Sequence, residues 1–211
     1  MAEELWTKEY KIERYRRLNQ TAEKGCVLFA GSSLMEMFPV EEFARQDNLP
    51  VTVYNRGVGG FITDELLENL DVCITDLAPR RLFINIGTND LSDASRPIEM
   101  IMRNYAEILD RVRQAVPGVE IYIMAYYPVN YDAASPEMRD CLKIRSNEKI
   151  NLANQKLQIL AANIGGKFIN VNQPLMDSQL RLKAEYTFEG MHINETGYRA
   201  IYPLVKKFIL E

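Results

Sequence analysis

The sequence predicts an α/β fold in which a parallel sheet is covered by helices on both faces, and three observations predict it. Short apolar runs of strand character alternate along the chain with segments that carry one apolar stripe at helical spacing. The strand runs are apolar at nearly every position rather than at every second one, as expected of strands buried on both faces. Strands separated by helices need crossover connections, and right-handed crossovers make the sheet parallel.

The elements follow in order. A helix over about residues 6–18, beginning near Trp6, belongs to an N-terminal helical extension over 1–24. The strand candidates are 26–30, 51–55, 82–86, 119–125 and 167–171. Ile62, Leu66, Leu70, Ile74 and Leu77 recur every three or four residues and mark a helix between the second and third strands. Ile98, Ile101, Tyr105, Ile108, Leu109 and Val112 mark another before the fourth. The segment 126–142 is too long for a minimal connection and reads as a lid loop. Ile150, Ala153, Leu157, Leu160 and Ile164 form a third stripe, which Gly165 and Gly166 stop. The last helix runs over about 195–209.

No repeat, low-complexity tract or Pro/Gly/Ser linker divides the 211 residues, so residues 1–211 are expected to form one domain around one core. A hydrophobic fraction of 47% and a charged fraction of 26% are ordinary for a soluble protein. No apolar run approaches the roughly 18 residues of a membrane span, so no transmembrane segment is expected. Residues 1–17 mix Glu, Lys, Arg and Tyr without the apolar stretch of a signal peptide. Cys26, Cys73 and Cys141 are far apart, odd in number and without a C-x-x-C pair, which suits a reducing compartment. Both point to a cytoplasmic protein. The net charge of -4 argues against nucleic acid as a partner, and Arg14, Arg16 and Arg17 read as a solvated helix face. One histidine and scattered cysteines leave little room for a zinc site; a carboxylate site for magnesium stays open, and no metal is expected. Composition leaves self-association into a homo-oligomer open.

In an open parallel sheet the site lies beyond the carboxyl ends of the strands. There the chain carries Gly31-Ser32-Ser33-Leu34 after strand one, Asn55-Arg56-Gly57-Val58-Gly59-Gly60 after strand two and Gly87-Thr88-Asn89-Asp90 after strand three. Glu189-Gly190-Met191-His192 precedes the final helix. A serine hydroxyl needs a base to become a nucleophile, and imidazole can take and return its proton near neutral pH. His192 is the only histidine. The oxyanion of an acyl-transfer intermediate needs fixed donors, which the Ser33 and Gly60 backbone N–H groups and the Asn89 amide would supply. A carboxylate at Glu189 would hold the imidazole tautomer. Each part alone has an ordinary use as a helix cap, turn glycine, Asx turn or surface histidine; the signal is their joint placement on one edge.

On these blocks the chain resembles the SGNH, or GDSL-like, hydrolase superfamily, and most resembles its bacterial members similar to platelet-activating-factor acetylhydrolase. Gly31-Ser32-Ser33 stands where the family has G-D-S, residues 55–60 match N-x-G-x-G-G, residues 87–90 match G-x-N-D, and residues 189–192 stand where it has D-x-x-H. The likeness extends from about Cys26 to Tyr198. It departs from the pattern at Ser32 and at Glu189, both aspartate in the family, and the second leaves the third triad member open, with Asp177 or a backbone carbonyl as the alternative. The resemblance implies a flavodoxin-like three-layer α/β/α sandwich, a five-stranded parallel sheet of order 2-1-3-4-5, no cofactor, and a small-molecule ester or thioester as substrate, cleaved through an acyl-enzyme and carrying a short or acetyl group. Ser33, His192 and Glu189 would form the triad, and Ser33, Gly60 and Asn89 the oxyanion hole. Tyr126, Tyr127 and Tyr131 would line an acyl or leaving-group pocket or else pack their own loop. Two other readings stand beside this one. A binding module for flavin or phosphate is disfavoured because G-x-x-x-x-G-K-[ST] is absent; a catalytically degenerate protein that binds carbohydrate or another ligand would have Glu189 as its mark of decay.

Overall fold

Burial on both faces explains the five strands. In the computed structural model, which describes residues 7–211, helix α1 (Lys8–Asn19) is followed by β1 (Val27–Gly31), α2 (Ser33–Glu36), α3 (Val40–Gln46) and β2 (Val53–Gly57). Next come α4 (Thr63–Glu68), α5 (Leu70–Cys73), β3 (Arg81–Asn85), α6 (Thr88–Leu91), α7 (Ile98–Ala115) and β4 (Glu120–Met124). The chain ends with α8 (Arg139–Ile144), α9 (Asn147–Asn163), β5 (Lys167–Ile169) and α10 (Glu195–Ile209). Trp6, the expected start of the first helix, lies outside the described residues. All pairings are parallel and the order is β2-β1-β3-β4-β5, a flavodoxin-like three-layer α/β/α sandwich.

Alternate residues of each strand feed two cores. Leu28, Ala30, Leu82, Ile84, Ile121 and Ile123 pack with the stripes of α1, α4, α5, α7 and α9. Val27, Phe29, Phe83, Tyr122 and Met124 face α2, α3 and α10. On that side the register-matched Phe29, Phe83 and Tyr122 stack across three strands with centroids 4.6 Å apart at each step. Offset stacks of this kind contribute about 1 kcal/mol beyond burial.

Two expectations are corrected. The single helix marked by Ile62 to Leu77 is broken into α4, α5 and a 3₁₀ turn at Thr75–Leu77. The break is at Asn69, whose side-chain amide donates to the Glu65 carbonyl at 2.9 Å and so replaces the backbone ladder locally. The first part of the 126–142 segment is not free to act as a lid: residues 126–130 are buried, and the Asn147 amide brackets Val129 at both its N–H and its carbonyl. Among the described residues no helix is long and apolar enough to cross a membrane.

Candidate active site

The order β2-β1-β3 puts the ends of β1, β2 and β3 side by side, at the point where the connection after β1 runs one way, to β2, and the connection after β3 runs the other, to β4. Ser33 is the first residue of α2, immediately past β1. Ser32 holds the N-cap position but makes no capping hydrogen bond with its side chain, and its buried hydroxyl has no partner among the described residues. The cap therefore does not explain the serine pair.

Folding brings His192 to Ser33 across 159 residues of sequence: Ser33 Oγ lies 3.0 Å from His192 Nε2. His192 Nδ1 lies 2.6 Å from Glu189 Oε1, and the same oxygen accepts the His192 backbone N–H at 3.0 Å. A proton on Nδ1 directed at Glu189 leaves Nε2 free to accept from the Ser33 hydroxyl. A tight turn makes this reach workable, with the Gly190 N–H donating to Thr187 Oγ1 and that hydroxyl to the His192 carbonyl. The extra methylene of glutamate is thus taken up inside the turn. Asp177 is engaged elsewhere, accepting from the Gln179 and Arg181 backbone N–H groups and from the Arg181 guanidinium.

Candidate oxyanion donors follow the neighbouring strands β1, β2 and β3. The Ser33 and Gly60 backbone N–H groups donate to no acceptor among the described residues, whereas their neighbours are committed: the Val58 N–H to the Gly31 carbonyl and the Gly59 N–H to Glu36 Oε2. Asn89 Nδ2 donates one hydrogen to the Phe61 carbonyl at 3.0 Å, which leaves its second hydrogen free. The adjacent Asp90 is fully buried and binds the Thr63 N–H and hydroxyl and the Arg96 guanidinium, anchoring this turn to α4.

Several further residues hold these groups, and none of them was assigned a role from the sequence. Asn55 donates to the Met35 and Phe38 carbonyls and accepts from the Gly57 N–H, clamping α2 to the glycine loop. Glu36, three residues past Ser33, bridges the Gly59 N–H and the Lys11 ammonium of α1. Arg145 Nη2 donates to Asn89 Oδ1 at 2.8 Å. Only Asn55 had a visible cue, as the first residue of its block.

The tyrosine pocket is corrected. Tyr126 and Tyr127 are 0% and 2% exposed, one in each core, so neither lines an open pocket. Tyr126 instead donates its hydroxyl to the Ile86 carbonyl at 2.6 Å. A Cβ at position 87 would lie 2.3 Å from that hydroxyl, so the buried tyrosine requires glycine at the head of the Asn89 turn. Burial holds the Tyr126 phenol protonated, far above its usual range. Tyr131 reaches solvent, next to Asn130, whose N–H donates to the Gly190 carbonyl at 2.7 Å. Among the described residues no group of three or more His, Cys, Asp or Glu side chains could hold a metal ion.

No curated protein matches the chain. A solved structure from Streptococcus pneumonia, provisionally named a platelet activating factor, is 34% identical, covers 96% of this chain and 92% of its own, and superposes with a TM-score of 0.84. A GDSL-like lipase from Bacteroides thetaiotaomicron is 21% identical over 94% of this chain and 96% of its own, with a TM-score of 0.77. An acetylxylan esterase from Geobacillus stearothermophilus shares the fold at 13% identity and a TM-score of 0.68, over 89% of this chain and 95% of its own. The model of the GDSL-like lipase/acylhydrolase family matches residues 36–200, beginning just past Ser33 and including the second, third and last blocks. With that match over most of its length and the geometry that joins Ser33 to His192, the chain belongs to the GDSL-like lipase/acylhydrolase family.

Proposed function

We infer that the protein is a serine esterase that cleaves small acyl esters or thioesters through an acyl-enzyme. The observation that carries this reading is the continuous line Ser33 Oγ, His192 Nε2, His192 Nδ1, Glu189 Oε1, with separations of 3.0 Å and 2.6 Å. His192 takes the Ser33 proton as Oγ attacks the acyl carbon, and Glu189 stabilises the imidazolium that forms. The Ser33 and Gly60 N–H groups and the free Asn89 hydrogen receive the oxyanion. His192 returns its proton to the leaving alkoxide or thiolate. Water, deprotonated by the same imidazole, then attacks the acyl-enzyme, the C–Oγ bond breaks, and Ser33 recovers its proton as the acid departs.

The side chains behind the serine favour a short acyl group. Leu34 and Met35, which follow Ser33 directly in α2, are both buried, so the protein's own side chains fill the space behind this helix. A fluorophosphonate probe should label the parent protein and not Ser33→Ala, and a p-nitrophenyl ester series should fall steeply from acetate to palmitate. A parent that neither labels nor turns over acetate is a binding protein with a spent site; activity retained in Ser33→Ala would move the nucleophile elsewhere.

A further inference from the structure

Arg145 lies between α8 and α9, outside every block that carries the proposed chemistry, and is 3% exposed. Its guanidinium makes no ion pair among the described residues. Nη2 donates to Asn89 Oδ1 at 2.8 Å, Nε to Ser92 Oγ at 2.7 Å, and Nη1 to the sulfur of Met191, the residue before His192. Burial draws its pKa down to about 10, so it still carries its charge at neutral pH. A buried cation with only neutral direct partners is costly to keep for stability alone.

The contact with Asn89 has a definite consequence. An asparagine amide can turn over, exchanging its oxygen and nitrogen. At Asn89 the guanidinium, a donor, requires the amide oxygen opposite it, and the Phe61 carbonyl, an acceptor, requires the amide nitrogen. The turned amide would set donor against donor at one end and acceptor against acceptor at the other. The permitted orientation is the one that leaves an N–H for the oxyanion. The positive charge behind Oδ1 also polarises the amide toward stronger donation.

We propose that Arg145 is the positioning residue of the oxyanion hole, fixing and polarising the Asn89 amide. This rests on the reading of the site as a serine hydrolase. Arg145 touches no substrate; it acts through Asn89.

The test is a double-variant cycle on p-nitrophenyl acetate turnover. Asn89→Ala alone should lower kcat by about 10² to 10³. Arg145→Met keeps the bulk and removes the fork, and should lower kcat by about tenfold to a hundredfold with KM within about twofold. Because Arg145 acts on the donor that Asn89→Ala already removes, the double variant should lie within about threefold of Asn89→Ala. Arg145→Lys, with one donor and the charge retained, should recover part of the loss, and it carries the same cycle if Arg145→Met does not fold. A parental kcat in either Arg145 variant, a defect confined to KM, or effects that multiply in the double variant would overturn the proposal. Ser33→Ala separates the two levels: if it is inert while the Arg145 variants are unimpaired, only this inference fails, and if it remains active, the underlying reading fails.

Discussion

Replacing Glu189 by glutamine tests the role of its charge with little change of shape. Glu189 Oε1 accepts two hydrogens, the His192 backbone N–H and the proton on Nδ1, so a glutamine oxygen at that place would still satisfy both. Its NH₂ group would be opposed there by the backbone N–H. The variant should therefore keep the imidazole tautomer and orientation and lose only the stabilisation of the imidazolium. With the charge centres about 4 Å apart, that attraction is about 1 kcal/mol in bulk water and about 4 kcal/mol at an effective dielectric of 20. The two side chains are 26% and 18% exposed, which places the pair between these limits, at about 2–3 kcal/mol. The expected loss is about 30- to 150-fold. It should be seen alike in kcat for p-nitrophenyl acetate and in the rate constant for phosphonylation of Ser33 by a fluorophosphonate. Glu189→Asp, shorter by about 1.5 Å, should stretch the 2.6 Å contact beyond hydrogen-bond range and be impaired as well. A Glu189→Gln enzyme within about threefold of the parent, or about 0.65 kcal/mol, would show that the carboxylate charge takes no part in the barrier.

Three further outcomes follow from the structure. Ser32→Ala removes a buried hydroxyl without a partner among the described residues, so it should keep full activity and gain about 1 kcal/mol, read as a rise of about 2–4 °C in Tm; a dead Ser32→Ala would place the nucleophile one residue early. Gly190 has φ +91°, and a Cβ there would lie 2.4 Å from the Asn130 carbonyl oxygen. Gly190→Ala should cost about 2 kcal/mol or more in denaturant unfolding and slow phosphonylation of Ser33, because the turn that presents Glu189 must shift; unchanged stability would show that the loop can yield. Burial pushes the thiols of Cys26 and Cys73 up to about 11 and about 12. At neutral pH a thiol-specific reagent should leave both unmodified in the native protein and modify both after unfolding; fast native labelling at either would contradict their packing.

The element order was legible in the sequence because strands buried on both faces leave continuous apolar runs, and helices beside them leave one stripe each. The observed strands lie within one or two residues of the expected ones, and α10 spans the expected 195–209. The candidate chemistry was legible for a related reason: each block is local, a short polar segment at a strand end. The helix broken at Asn69 was not, because a single side chain competing for one carbonyl leaves the apolar period intact.

What the sequence alone determined about this protein is the alternating architecture, the four blocks and the resemblance they carry. Tertiary structure decided how those blocks are held. Glu189 and not Asp177 meets His192, because Asp177 is bound within its own turn. Tyr126 supports the Asn89 turn from inside the core and does not face a ligand, and the sequence of a loop does not record whether the loop folds inward. Arg145 reaches Asn89 from 56 residues away, and Asn55 and Glu36 bind backbone atoms that any residue would offer. A contact with backbone leaves no pattern in its partner's identity, and a contact between distant segments leaves none in local spacing; both exist only once the sheet has set the segments side by side.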